Sequence, residues 1–179
     1  IRIIKSLSKQ PPGSPRRDRV ELAGLGFDWP NAAMVHGFDH TLGYNPLRLA
    51  DFTRAVGAED SIIGPNQRKF TALFPSYHCR LANLLGLRYI VSSIPIEQVD
   101  KQYKQGDLRF ITRTKDGFIY ENPNALPRVL FTSAFRVADF EELQKTGQWP
   151  DFDARKTVLL DAVPDGPIAN NLDPGGPST

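Results

Sequence analysis

The sequence predicts an α+β fold in which a mixed sheet of about six strands carries about three flanking helices. A hairpin pattern lies in the middle of the chain, where LRFITRT and FIYEN flank the turn residues Asp116 and Gly117. A leucine-rich helix pattern runs into the strand pattern RYIVSS across the single residue Gly86. The strict alternation of strands and helices that predicts a doubly wound sheet is absent, which favours the α+β class.

Runs of apolar and β-branched residues predict the strands in chain order. RVELA comes first, with Val20 and Leu22 on one face, and RYIVSS and the two arms of the hairpin follow. PRVLFTSAFRVA is predicted as a further strand through its alternating Val129, Phe131 and Ser133, and KTVLLDA as the last. The stretch FDWPNAAMVHGFDHTLGYNP is rich in turn-forming residues, so we expect it to be irregular.

Proline, serine or aspartate at the start of an apolar run, and glycine at its end, predict the helices. The patterns are PLRLADFTRAVG, which begins at Pro46, PSYHCRLANLLG, which begins at Pro75, and DFEELQKTG, which Asp139 caps. In the second pattern Leu84 shares one helical face with the neighbouring leucines. We therefore expect Leu84 and Ile90, which lies on the next strand, to belong to one core.

Composition and turn residues divide the chain of 179 residues into three parts. Residues 1–18 contain KQPPGSPRRD and are predicted to form a linker or extended arm, because proline removes a backbone donor and restricts φ. Residues 19–163 are predicted to form a single globular domain, and the Pro- and Gly-rich residues 164–179 a flexible tail. The chain begins with Ile1 and not with Met, which indicates a piece of a longer protein.

Charge and cysteine content argue against several classes of function. The formal net charge is +2, whereas a nucleic-acid-binding protein usually carries a concentrated basic face. The single cysteine, Cys79, excludes an internal disulfide and a cysteine-rich zinc module. No apolar run reaches the length of about 18 residues that a membrane-spanning helix needs.

His36, Asp39 and His40 form an H-x-x-D-H pattern that would suit zinc if a helix brought the three side chains to one face. Gly37 within the pattern and LGYNP after it oppose such a helix. We therefore assign no metal and no cofactor, although a free-standing metal-dependent hydrolase built on these residues stays open as an alternative. The chain also lacks G-x-S-x-G, P-loop and G-x-G-x-x-G motifs, so no catalytic residue is assigned.

Four segments follow one another between Arg19 and Asp161: GYNPLRLADF, LLGLRYIVSS, IYENPNALPRVLF and DFDARKTVLLD. Together they resemble the bacterial YfhO-like proteins, which span the membrane many times and are grouped with lipid-dependent C-type glycosyltransferases. YENPNALPR is the most specific of the matching stretches. The resemblance implies that the chain is the soluble extracytoplasmic region of such a protein, on the periplasmic or extracellular side of the bacterial cell membrane.

The resemblance also implies a role accessory to sugar transfer from a polyprenyl-phosphate carrier to a cell-envelope acceptor. The catalytic carboxylate of related transferases lies in an early loop between membrane helices, outside this chain, so we expect the isolated chain to have no activity. The implied partners are the membrane-embedded part of the same polypeptide, the lipid-linked sugar and the envelope glycan, and nucleic acid is not among them. A non-catalytic binding or scaffolding domain of the envelope is the other hypothesis that stays open.

The candidate substrate-binding residues are Tyr44, Asn45, Arg48, Asn122 and Arg128. An aromatic ring beside an arginine and an amide suits a sugar or a phosphate, through stacking and charge-assisted hydrogen bonds. For Tyr44 and Asn45, the alternative is that they only build the turn before the next helix. For Asn122 and Arg128, the alternative is hydrogen bonding to neighbouring backbone groups.

Overall fold

The structure is a computed structural model, and it describes residues 18–26, 32–42, 49–57 and 63–164. The predicted arm over 1–18 and the predicted tail over 164–179 lie almost wholly outside these residues. The described residues fall into two compact units, the first ending at Val129 and the second beginning at Leu130. The described residues of the two units together lie almost wholly within the range 19–163 that is predicted as a single domain.

The first unit contains a five-stranded mixed sheet. The strands are β1 (Arg19–Ala23), β2 (Asp39–His40), β3 (Leu87–Ser92), β4 (Arg109–Arg113) and β5 (Phe118–Glu121). Their order across the sheet is β2-β1-β3-β5-β4. β1 is parallel to both β2 and β3, whereas β5 is antiparallel to β3 and forms the predicted hairpin with β4.

The helices of the first unit are short, α1 (Ala32–His36), α2 (Ala50–Val56), α3 (Arg80–Leu84) and α4 (Ile96–Val99), with a 3-10 turn at Pro65–Gln67. The second unit pairs β6 (Ala134–Val137) with β7 (Thr157–Leu160) in parallel, and α5 (Phe140–Thr146) lies between them in the chain. These sheets and helices confirm the α+β prediction. Within the described part of the chain, no helix combines the length and the apolar character that crossing a bilayer requires.

Both faces of the five-stranded sheet are covered, because alternate residues of its strands enter two different apolar clusters. Val20 and Leu22 lie on one face, as predicted, with Val91 of β3. Ile90 lies on the opposite face, in the larger cluster. The other buried members of that larger cluster are Val56, Phe74, Tyr77, Ala82, Leu87, Ile96, Val99, Leu108 and Tyr120. Glu21, in the middle of β1, is therefore a charged residue in the interior.

The second predicted helix is shorter than its sequence pattern. It begins at Arg80, with Cys79 as its N-cap, and not near Pro75. The residues before it form turns, in which the Tyr77 N–H donates to Oδ2 of Asp100 at 2.9 Å. This tertiary contact satisfies the Tyr77 N–H from outside the local segment, and the sequence pattern carries no sign of it. Leu84 is only partly buried, so the prediction of Leu84 as a core residue is wrong, whereas that of Ile90 is confirmed.

Two further predictions need correction. The stretch predicted to be irregular contains α1 and β2, and Thr41 follows β2 with its N–H bonded to the Val20 carbonyl at 3.0 Å. The strand predicted over PRVLFTSAFRVA is confined to Ala134–Val137, because β7 provides pairing partners for those four residues alone. Phe131, expected on a strand face, is 95% exposed.

Candidate functional site

The structure places two of the candidate binding residues, Asn122 and Arg128, on the segment that follows β5. Tyr44, Asn45 and Arg48 lie outside the described residues. The described part of the candidate site consists of the YENPNALPR segment and of the groups that this segment contacts.

Asn122 is fully buried, and both the nitrogen and the oxygen of its side-chain amide form hydrogen bonds. Nδ2 donates to Oδ1 of Asn83 at 2.8 Å and to the Leu87 carbonyl at 3.1 Å, while Oδ1 accepts the Asn124 N–H at 3.0 Å. The Asn122 backbone N–H also donates to the Arg88 carbonyl at 2.7 Å. These bonds attach the segment to the start of β3 and to α3, so Asn122 acts as a positioning residue in this structure.

Arg128, at the end of the same segment, forms an ion pair with Asp39 of β2. The two residues are 89 positions apart in the chain. The Arg128 side chain is 35% exposed, so the ion pair with Asp39 lies at the surface of the unit. The contact joins the two stretches that carry the sequence hypotheses, FDHTLGYNP and YENPNALPR.

A third charged group, Arg19, lies beside this ion pair. Arg19 on β1 is in register with Asp39 on β2, and its Nη1 donates to the Leu85 carbonyl at 2.6 Å. Burial and the nearby Arg128 lower the pKa of Arg19, and Asp39 opposes this effect. Arg19, Asp39 and Arg128, here called the arginine cluster, thus place two guanidinium groups around one carboxylate and leave an excess of positive charge.

A second set of charges near the end of the sheet is more evenly balanced. Arg88 binds Asp18 at 3.1 Å and Glu121 at 2.6 Å, and Arg109 also pairs with Glu121. Both carboxylates are buried. Because buried charges require partners, these contacts satisfy the carboxylates of Asp18 and Glu121 within the fold.

The H-x-x-D-H residues do not converge on one face. Gly37, with φ of +67°, follows the last residue of α1, and Asp39 and His40 lie on a strand, where neighbours point to opposite faces. Nε2 of His40 accepts the Leu22 N–H at 3.1 Å, and Nδ1 faces the Leu42 carbonyl, which assigns the ring proton to Nδ1. Across the described ranges, no group of His, Cys, Asp and Glu side chains is arranged to hold a metal ion.

The sequence analysis missed a buried polar group on the other face of the sheet. Glu21 of β1 pairs with Arg68, with 3.0 Å between Oε1 and Nε, and the Tyr77 hydroxyl donates to the same Oε1 at 2.7 Å. The sequence contained one indication of this pair, the single acidic residue within RVELA, because a carboxylate in a central strand needs a buried partner. No local feature of the sequence marks Arg68 as that partner.

Comparison of the chain with protein-family models, with curated proteins and with solved structures finds no match.

Proposed function

We propose that the chain is the extracytoplasmic domain of a multi-pass bacterial membrane protein of the YfhO-like kind. In this proposal the domain is accessory to the transfer of a lipid-linked sugar onto a cell-envelope acceptor. The support from sequence is the order of the four family-like segments between Arg19 and Asp161. The partner of the domain is then the membrane-embedded part of the same polypeptide.

The observation that carries the proposal is the contact between Arg128 and Asp39. YENPNALPR supplies the arginine, and Asp39 precedes GYNPLRL by a few residues. The ion pair brings the two segments together at a partly exposed arginine, and this supports a shared binding role.

The charge of the arginine cluster suits an anionic ligand. Arginine binds phosphate oxygens through planar, charge-assisted hydrogen bonds, and the Arg128 side chain is partly exposed beside Asp39. A polyprenyl-phosphate-linked sugar carries a phosphate next to a sugar. We therefore propose that this domain binds the carrier or the acceptor. The membrane-embedded part would then perform the catalytic step.

A non-catalytic scaffold of the envelope is the second candidate. It is favoured by the pairing of Glu21 with Arg68 and of Arg88 with Glu121, because such pairs stabilise a fold and perform no chemistry. A hydrolase built on His36, Asp39 and His40 has less support, since both ring nitrogens of His40 face backbone groups.

The test uses the intact membrane protein, whose full reading frame is expected to encode several membrane spans. Arg128→Ala is expected to reduce envelope glycosylation strongly, and Arg128→Lys to restore it in part, because lysine keeps the charge but not the planar geometry. Tyr44→Ala and Arg48→Ala test two of the three remaining candidates, Tyr44, Asn45 and Arg48, in the same assay.

Arg54→Ala is the matched control, because Arg54 is an exposed arginine in a local ion pair with Asp51. The membrane abundance and protease resistance of each variant are measured alongside. Normal glycosylation by a folded Arg128→Ala protein would leave the scaffold as the better explanation. A reading frame without membrane spans would reject the membrane setting itself.

A further inference from the structure

A cavity of about 450 Å³ lies on the first unit, away from the residues of the arginine cluster. Its volume is within the range of about 300–1,000 Å³ that is usual for small-molecule sites. Its lining is polar and cationic, and consists of His78, Lys101, Gln102, Tyr103, Lys104 and Asp107.

The wall of the cavity is a loop that internal hydrogen bonds hold in shape. Asp100, which is buried, accepts the N–H groups of Tyr77 at 2.9 Å and Gln102 at 3.0 Å. Farther along the loop, the Lys104 N–H donates to Oδ2 of Asp107 at 2.7 Å, and the Asp107 N–H donates to the Lys104 carbonyl at 3.0 Å. A loop closed in this way loses little further freedom when it binds a ligand.

The charges of the cavity are unequally neutralised. The Asp107 carboxylate accepts the Lys104 N–H, and Nε2 of His78 lies 3.4 Å from its Oδ2. The ring of His78 is held from its other side by the Ser76 hydroxyl. Lys101 and Lys104 are exposed and form no ion pair with a carboxylate of the described residues. Two ammonium groups are therefore available to an anion.

We propose that this cavity binds a phosphorylated sugar. Lys101 and Lys104 would hold the phosphate as point charges, as lysine does in phosphate sites. Tyr103 lines the cavity and is partly exposed, so its ring would pack against the C–H groups of a sugar, and the amide of Gln102 would donate to and accept from the sugar hydroxyls. The inference rests on the cavity alone and does not require the proposed membrane setting.

The full chain of 179 residues is titrated with glucose 1-phosphate by calorimetry and by amide NMR. Glucose and inorganic phosphate are titrated separately, to distinguish the contributions of the sugar and the anion. Saturable binding of glucose 1-phosphate, tighter than that of either fragment and weakened by salt, is expected. The NMR shifts are expected at residues 100–107 and at His78. Absence of saturation, or binding of inorganic phosphate as tight as that of glucose 1-phosphate, overturns the proposal.

The double variant Lys101→Gln/Lys104→Gln is expected to weaken binding by at least about tenfold, since both charges that meet the phosphate are removed. Lys115→Gln/Lys145→Gln removes two exposed lysines elsewhere and should change affinity by less than about twofold. Tyr103→Ala should weaken binding of the sugar phosphate more than that of inorganic phosphate. Circular dichroism and melting curves establish that each variant is folded. An equal loss in the control pair would assign the effect to net charge and reject the site.

Discussion

Glu21 and Arg68 form an ion pair in the interior of the first unit, with both side chains 0% exposed and 3.0 Å between Oε1 and Nε. Nη1 of Arg68 also donates to the Val56 carbonyl at 2.7 Å, and its guanidinium lies 4.5 Å from the centre of the Phe70 ring. Burial acts to lower the pKa of Arg68, but the adjacent Glu21 raises it, and the net shift is upward, so the guanidinium stays charged. Around the pair, Oε2 of Glu21 and Nη2 of Arg68 lack hydrogen-bond partners within the described residues.

The first prediction concerns the stability that the buried pair of Glu21 and Arg68 contributes. Arg68→Met leaves the Glu21 carboxylate buried without its cation and is expected to lower the free energy of unfolding by about 3–5 kcal/mol. Glu21→Met/Arg68→Met removes both charges and should recover part of this loss, because the Val56 carbonyl and the Tyr77 hydroxyl still lose a partner. Urea denaturation of the two variants and the wild type measures the difference.

The exposed pair of Asp51 and Arg54 provides the control for this experiment. Arg54→Met should cost no more than about 1 kcal/mol, because solvent screens the charges and both side chains are mostly exposed. A loss of this small size in Arg68→Met would show that the interior pair contributes little.

The second prediction concerns Asn122. Asn122→Ala removes three side-chain hydrogen bonds and leaves the Leu87 carbonyl without one of its donors, which should destabilise the fold by about 2–4 kcal/mol. Asn124→Ala is the matched control, since Asn124 is exposed and uses its backbone N–H in this network. Equal stabilities of the two variants in urea would mean that the network does not anchor the segment.

The third prediction compares two aliphatic residues that the sequence grouped together. Ile90 is fully buried in the larger core cluster, and truncation to alanine is expected to cost about 2–5 kcal/mol. Leu84 is partly exposed, so Leu84→Ala should cost clearly less. The midpoints of denaturant unfolding provide the comparison. A larger loss for Leu84→Ala would contradict the observed position of α3.

The fourth prediction is a pH dependence caused by His40. Burial lowers the pKa of His40 from 6.5 to about 4. The unfolded chain therefore binds this proton at a higher pH than the folded chain does. The stability that neutral His40 contributes is complete above the unfolded pKa and is lost as the pH falls from about 6.5 towards about 4, by at most about 3 kcal/mol.

Unfolding in urea at a series of pH values between about 7 and about 4.5 measures this loss. His40→Gln should show a smaller decrease over the same interval, because glutamine does not titrate there. A decrease of the same size in the wild type and in His40→Gln would assign the pH dependence to other groups.

The elements that the sequence predicts well are those specified by neighbouring residues. The α5 helix begins where the Asp139 carboxylate accepts the Glu142 N–H at 3.0 Å, and it ends at Gly147, which has φ of +70°. The β4–β5 hairpin follows in the same way from its turn, where the Thr114 N–H donates to the Gly117 carbonyl at 2.8 Å. Both features depend on contacts within a few residues, so a local pattern contains the information.

The sequence predicted less of the candidate site than of the fold. The YENPNALPR segment singled out Asn122 and Arg128, and for Asn122 the bonds to backbone groups that we considered as the alternative are observed. The pairing of Arg128 with Asp39 had no local signal, since 89 positions separate the two residues. The lysines and tyrosine of the cavity lie close together in the chain, but their arrangement depends on the contact of Asp100 with Tyr77.

The amino-acid pattern was thus sufficient for the α+β class, the hairpin, β3 and α5, because turn residues, caps and alternation act through the backbone over short distances. The start of α3, the partners of Glu21 and Arg128, and the shape of the cavity depended on the folded chain. Charges and buried amides interact according to their distance and burial in three dimensions, and those quantities arise only when β1, β3 and the loops around them have packed.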